Sequence, residues 1–208
     1  AGYTASAVTV NGVAVTAYND AGAGTYTATY TIVEGNTDRA SGTVPASVAL
    51  VDAAGNVNVA YTTVTANTVA VDANTPAAPI PTLLDPINAG NVTAVTITGT
   101  GDANGSLACS INDYNALTPA VTGVGTVDGL GAISISGINV SSLDDDLDLT
   151  LSITQTDAAG NTSAAGTDTA LKDTVIPTLP ADGIVGTTIQ GLSATTGKED
   201  TIVLTFSE

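Results

Sequence analysis

Most of this chain alternates apolar residues with threonine or serine, and this period-two pattern constrains the fold more than any other feature. The stretches "AVTITGTG", "AISISGINV" and "LDLTLSITQT" are clear examples. Alternation rich in β-branched residues is typical of strands that bury one face. Gly, Asn and Asp interrupt it about every 8–12 residues, which is the spacing of a sandwich or barrel. The sequence therefore predicts an all-β fold.

Two phrases recur at nearly the same interval, which indicates an internal repeat. "VDAAGN" at 51–56 returns as "TDAAGN" at 156–161, and "VDANTPAAP" at 71–79 has its counterpart in "KDTVIPTLP" at 172–180. The interval is about 100 residues, the size of one small domain. Each repeat would thus be a separate β-domain.

The order of strands and linkers predicts one complete domain and two partial ones. Residues 77–172 hold seven predicted strands, which matches an immunoglobulin-like sandwich. Residues 72–76 and 173–176 are linkers flanked by proline. Residues 1–71 would be the C-terminal part of one repeat, and residues 177–208 the first strands of the next. We expect tandem immunoglobulin-like sandwiches in an extended rod, with incomplete sandwiches at both ends.

Two explanations of the incomplete ends are open at this point. The chain could be a window of a longer tandem array. Alternatively, the stretch "DTIVLTFSE" at 200–208 could add as a strand to the open sheet of another copy. Either way, uncovered strand edges are avoided in natural β proteins, so we expect an assembly with neighbouring repeats or with copies of the same chain.

The charge balance excludes several classes of function. Three Lys and Arg face 20 Asp and Glu, for a net charge of −17. Such a surface repels nucleic acid and anionic membranes and attracts cations. No apolar run of about 18 residues is present, so no membrane insertion is expected. The chain has no histidine and no nucleophile–base pair, and we expect no enzymatic activity.

Several acidic turns are expected to meet at one end of the complete sandwich. Because strands run alternately up and down, the turns after its second, fourth and sixth strands lie at the end where the 72–76 linker arrives. Carboxylates clustered without Lys or Arg repel each other, and Ca²⁺ relieves this by binding 6–8 oxygens. The predicted calcium ligands are Asp72, Asn74, Asp102, Asp128, Asp157 and Asn161, with Asp52, Asn56 and Asp173 at the equivalent neighbouring joints. Zinc is not expected, because the chain has no histidine and one cysteine. The alternative is that Asp-Ala-Ala-Gly-Asn only forms a turn.

Both repeat patterns resemble Ig-like tandem repeats of giant bacterial surface adhesins, including RTX-type and biofilm-associated adhesins. The resemblance is carried by "DTIVLTFSE" with "AGYTASAVTVNGVAV", and by "VTAVTITGTG" followed by "TDAAGN" and "KDTVIP". It implies an extracellular stalk at the bacterial cell surface, stiffened by calcium between domains. A self-assembling filament or surface-layer subunit is the alternative. A carbohydrate-binding module is less favoured, because the chain has no Trp.

The acidic run "LDDDLDL" at 143–149 raises the question of an EF-hand. Its Asp residues alternate, but glycine is missing at the sixth position and Gln155 stands where a bidentate Glu belongs. We therefore interpret this run as a solvated turn.

Overall fold

The computed structural model describes residues 3–15, 17–145 and 147–178. Within these ranges the chain forms twelve β-strands, and the all-β prediction is confirmed. No helix in the described part is long and apolar enough to cross a membrane. The strand predicted at 200–208 lies outside the described residues.

The chain divides into two units. One comprises the described part of Ala1–Ala77 with the turn Thr156–Ser163, and the other the described part of Ala78–Gln155 and of Ala164–Glu208. The turn Thr156–Ser163 therefore belongs to the first unit, although the chain before and after it belongs to the second.

The second unit is a sandwich of two antiparallel sheets. Its strands are β6 (Ile80–Leu83), β7 (Val95–Thr100), β8 (Ser106–Asn112), β9 (Val121–Thr126), β10 (Ala132–Ile138), β11 (Leu147–Thr156, whose last residue is assigned to the first unit) and β12 (Gly166–Lys172). One sheet has the order β10-β7-β6 and the other β12-β11-β8-β9. These are the seven strands that the alternation predicts between residues 77 and 172.

The core of the second unit lies between these sheets. Ile97 of β7 and Ile111 of β8 come from opposite sheets, and both are fully buried in one cluster with Leu149, Leu151 and Ile153 of β11. Inward residues alternate with exposed ones along β8 and β10, as the period-two pattern requires. Cys109 is buried in the same cluster.

Two glycines allow the backbone of residues 79 and 80, at the start of the second unit, to lie very close to strands β7 and β12. A Cβ on Gly99 of β7 would lie 2.2 Å from the carbonyl oxygen of Ile80, and φ at Gly99 is +147°. A Cβ on Gly166 of β12 would lie 1.9 Å from the carbonyl oxygen of Pro79. Residues 79–83 therefore contact both sheets, and no other residue type fits at these two positions.

The first unit contains five strands in two small sheets. They are β1 (Thr4–Val10), β2 (Val13–Ala14), β3 (Ala17–Gly22), β4 (Thr25–Thr29) and β5 (Ala46–Val51). The orders are β2-β1-β5 and β3-β4. Its buried cluster is small and consists of Val44, Val71 and Ala73, with Val10 and Tyr30 packed against it.

Candidate functional site

The two Asp-Ala-Ala-Gly-Asn turns have the same geometry. Oδ1 of Asp157 accepts the backbone N–H groups of Ala159 and Asn161, each at 2.9 Å, and Oδ2 accepts the side-chain amide of Asn161 at 2.9 Å. Asp52 accepts the same three bonds from Ala54 and Asn56, also at 2.9 Å. The repeated phrase therefore encodes a turn that is closed by its own aspartate.

These hydrogen bonds favour the charged form of both aspartates. The side-chain amide of Asn161 lowers the pKa of Asp157 most, and that of Asn56 lowers the pKa of Asp52. The pKa of Asp128 is also lowered, because its carboxylate accepts the N–H groups of Ala132 and Leu130 at 2.8 Å. All three carboxylates are thus anionic at neutral pH and able to ligate a cation.

The linker at 72–75 is held by two acids that the repeat phrases do not contain. Asp38 accepts the backbone N–H of Ala73 at 2.8 Å and the side-chain amide of Asn74. Oε2 of Glu34 accepts the N–H of Thr75 at 3.1 Å. These contacts fix the path of the linker and concentrate negative charge beside it.

Asn161 connects the turn at 157–161 to the linker. Besides its bond to Asp157, its Nδ2 lies 3.4 Å from Oδ1 of Asp72 and 3.4 Å from the Asp72 carbonyl oxygen. These two distances are long for hydrogen bonds, so the amide is held mainly by Asp157. Two carboxylates and one carbonyl oxygen thus surround one neutral NH₂ group that has only two hydrogens.

The described cations do not neutralise these acids. Nε of Arg39 donates to Oδ1 of Asn11 at 3.0 Å, and Lys172 pairs with Asp145. The third cation, Lys198, lies outside the described residues. We call Asp72, Asp157 and Asn161 the linker site. Its donor set is all oxygen once the Asn161 amide turns its Oδ1 inward, and such donors suit Ca²⁺.

Asp102 and Asp128 lie on adjoining turns of the second unit. The backbone N–H of Asn104 points to the carbonyl oxygens of Val127 and Asp128, at 3.1 and 3.3 Å. Oε1 of the buried Gln155 accepts the N–H of Asp102 at 3.0 Å. The turns after β7 and β9 therefore share one end of this unit, but their approach to Asp72 and Asp157 stays a prediction.

Asp173 closes a local turn beyond β12. Its N–H donates to the carbonyl oxygen of Ile87 at 2.9 Å, and its Oδ1 accepts the N–H of Val175 at 2.9 Å. Asp52 and Asn56 contact each other, as described above, and Asn74 contacts Asp38. A metal-binding role for these four residues also stays a prediction.

The acidic run at 143–149 is more than a solvated turn, and that interpretation was wrong for Asp145. Nζ of the buried Lys172 lies 2.6 Å from Oδ1 of Asp145 and donates to the carbonyl oxygen of Leu143 at 2.8 Å. Thr174 donates to the other carboxylate oxygen. Lys172 lowers the pKa of Asp145 most, followed by Thr174. The pair ties the end of β12 to this turn.

Across the described ranges, three or more Asp, Glu, Cys or His side chains nowhere form a group that could hold a metal ion. The linker site contains two carboxylates and therefore relies on amide and carbonyl oxygens for further ligands. Calcium at this site stays a prediction. Asp38 and Glu34 were missed as linker contacts, since only their acidic type, and no motif, marks them in the sequence.

Comparisons with known proteins find structural likenesses but no matching family. No family model and no curated protein matches the chain. The chain is similar to a solved tetra-tandem repeat in the extending region of a large adhesion protein, with a TM-score of 0.36 and 23% identity. The alignment covers 81% of this chain, which spans 40% of the length of that one.

Proposed function

We propose that this chain is a spacer segment of a bacterial extracellular adhesin or surface fibre, and that calcium at the linkers between its repeats stiffens it. The resemblance of both repeat phrases to adhesin repeats supports a location at the cell surface. The surplus of 17 negative charges suits a surface that meets cations and no nucleic acid. The expected absence of catalysis fits a mechanical role.

The observation that carries the proposal is the crowding of oxygens around the Asn161 amide. Asp157, which accepts that amide at 2.9 Å, and Asp72, whose carboxylate lies 3.4 Å from it, bring two negative charges with no described cation as partner. When bound, calcium would supply the missing positive charge. Asp72 and Asp157 would hold it with their carboxylates, and Asn161 with its amide oxygen.

The mechanical effect follows from which parts of the chain these residues occupy. Asp72 belongs to the linker, whereas Asp157 and Asn161 belong to a turn whose flanking residues are in the second unit. A common cation would cross-link linker and turn. Proline at 76, 79 and 81 already restricts the backbone beside the linker. We therefore expect bound calcium to remove the remaining conformational freedom of the linker backbone.

The test compares two matched variants, Asp157→Asn and Asp52→Asn. Both aspartates make the same three bonds inside identical turns, but among the described contacts only the turn of Asp157 reaches the 72–76 linker. Melting curves and small-angle scattering would be recorded with calcium and with EDTA. At free calcium about a hundredfold above Kd, the wild type should gain about 2.7 kcal/mol and lose flexibility.

Asp157→Asn should lose most of this calcium response, and Asp52→Asn should keep it. Equal responses in both variants would reject the linker site, and identical curves in calcium and EDTA for the wild type would reject calcium stiffening altogether. A turn-only role predicts a similar small loss of stability in both variants and no response to calcium.

A second candidate function is a filament subunit completed by strands from other copies. The small buried cluster of the first unit, Val44, Val71 and Ala73, favours it, and apolar side chains of the same unit such as Val59 and Tyr61 are 93% and 60% exposed. Soluble domains rarely leave such side chains uncovered together.

A further inference from the structure

Strand β4 has one edge that pairs with no other described strand. In the described part of the chain, β4 pairs with β3 alone, and these two strands form a sheet of their own. Its residues Thr25, Thr27 and Thr29 are exposed. An isolated two-stranded hairpin is marginally stable, so a third strand would stabilise this one.

The second unit indicates which strand belongs beside β4. The short turn at Ala23 and Gly24 precedes β4, as the turn "DGLG" at 128–131 precedes β10. In the second unit β10 pairs antiparallel with β7, for example through Ile135 and Ile97. The position beside β4 therefore corresponds to the place of β7.

The remaining strands of the first unit support this correspondence. β1 pairs with β5 as β8 neighbours β11, and both β5 and β11 lead into an Asp-Ala-Ala-Gly-Asn turn. The described strands of the first unit thus include counterparts of β8, β10 and β11, but none of β7. In the second unit β7 supplies the buried Val95 and Ile97.

The segment at 201–208 has the sequence of the missing strand. In an extended "TIVLTFSE", one face would carry Ile202, Leu204 and Phe206, and the other would carry Val203 with Thr and Ser; the segment has no charge before its last residue. It belongs to the thirty residues, 179–208, outside the described structure. An uncharged, β-branched segment of this length is the kind of strand that adds to an exposed sheet edge.

We propose that the outer edge of β4 accepts residues 201–208 of a second copy of this chain, antiparallel, in the position that β7 holds beside β10. This inference deepens the filament alternative of the proposed function and does not depend on calcium. Backbone hydrogen bonds along β4 would hold the strand. Its apolar side chains would extend the small cluster of Val44, Val71 and Ala73.

Disulfide trapping between two populations tests the proposal. One population carries Thr25→Cys, Thr27→Cys or Thr29→Cys, and the other carries Thr205→Cys; all keep Cys109, which is buried. Oxidation of the mixture should link one pairing best, because a disulfide needs Cα atoms about 4.4–6.8 Å apart. The control is Thr122→Cys on β9, an exposed threonine on the edge strand of the second unit.

The best pairing should exceed the control by about tenfold and be the same in calcium and in EDTA, so that failure of calcium stiffening leaves this result untouched. Val203→Pro in the donor should abolish it, and Val203→Thr should not, because proline removes a backbone donor and disrupts a central strand. Trapping equal to the control overturns the proposal. So does a disulfide that forms only within one chain carrying both cysteines.

Discussion

The two units bury their apolar side chains differently, although their strands share one alternating pattern. Ile97, Leu149 and Leu151 are fully buried between the sheets of the second unit. In the first unit every residue of β5 is only partly buried, and Val59 is 93% exposed. Alternation therefore predicts which face is apolar, but burial of that face requires a second sheet to cover it.

The difference follows from which strands are present in each unit. The second unit has both sheets, with β6 and β7 closing one of them around β10. The described strands of the first unit include counterparts of β8, β10 and β11, and its described buried cluster consists of Val44, Val71 and Ala73. Within the described residues, the first unit therefore has no second sheet comparable to the one that β6, β7 and β10 form.

The largest expected effect is a difference in the cost of the same substitution, leucine to alanine, between the two units. Leu151→Ala should lower the free energy of unfolding by about 3–4 kcal/mol, because its side chain is fully buried. Leu50→Ala on β5 should cost about 1 kcal/mol or less, since Leu50 is only partly buried. Urea unfolding followed by circular dichroism measures both. Equal costs would contradict the difference in burial.

The next prediction concerns the ion pair at the end of β12. Asp145→Asn should cost about 2–3 kcal/mol, because it leaves the buried Lys172 without its counter-charge, while the part-exposed position of Asp145 moderates the loss. Asp148→Asn, an exposed acid of the same run, is the control and should cost less than about 0.5 kcal/mol. A result below 0.5 kcal/mol for both would show that the pair adds nothing to stability.

The pH dependence of the wild type should report the same pair. The pKa of Asp145 is lowered in the folded state, so its stabilisation is present above the ordinary aspartate pKa of 3.8 and is lost as pH falls through the folded value. The melting temperature should therefore fall with acid below about pH 4, and Asp145→Asn should flatten this dependence. An unchanged slope in the variant would assign the acid sensitivity to other carboxylates.

The smallest expected effects concern the turns, one in each unit. Ala23, between β3 and β4, has φ +54°, a conformation that costs non-glycine residues about 1 kcal/mol. Ala23→Gly should therefore stabilise the first unit by about 0.5 kcal/mol after the entropy cost of glycine. Asn104 has φ +65°, and Asn104→Ala should cost about 0.5–1 kcal/mol, since Asn tolerates this region better. Differential scanning calorimetry measures both changes. Destabilisation by Ala23→Gly, or stabilisation by Asn104→Ala, would refute the strain argument.

Features that depend on residues close together in the chain could be predicted from the sequence. The strands of the second unit followed from local alternation, and the closed turns at Asp52 and Asp157 followed from residue types that bond their own backbone.

Features that depend on distant residues could not be predicted in the same way. Asp38 holds Asn74 across 36 positions, and Glu34 holds Thr75 across 41. Nothing local distinguishes these acids from solvated ones. Likewise, Asp145 differs from its acidic neighbours only because the fold places Lys172 beside it. The sequence predicted that Asp72, Asp157 and Asn161 lie near each other, and the fold adds that the Asn161 amide contacts Asp157 and lies 3.4 Å from Asp72.

The most direct test of the linker site is a crystal structure of the calcium-soaked protein with anomalous diffraction data. If calcium binds there, we expect an anomalous peak about 2.3–2.6 Å from carboxylate oxygens of both Asp72 and Asp157, with the amide of Asn161 rotated so that Oδ1 faces the ion. Density without that peak, in which Nδ2 of Asn161 still lies between the two aspartates, would contradict calcium binding at the linker site.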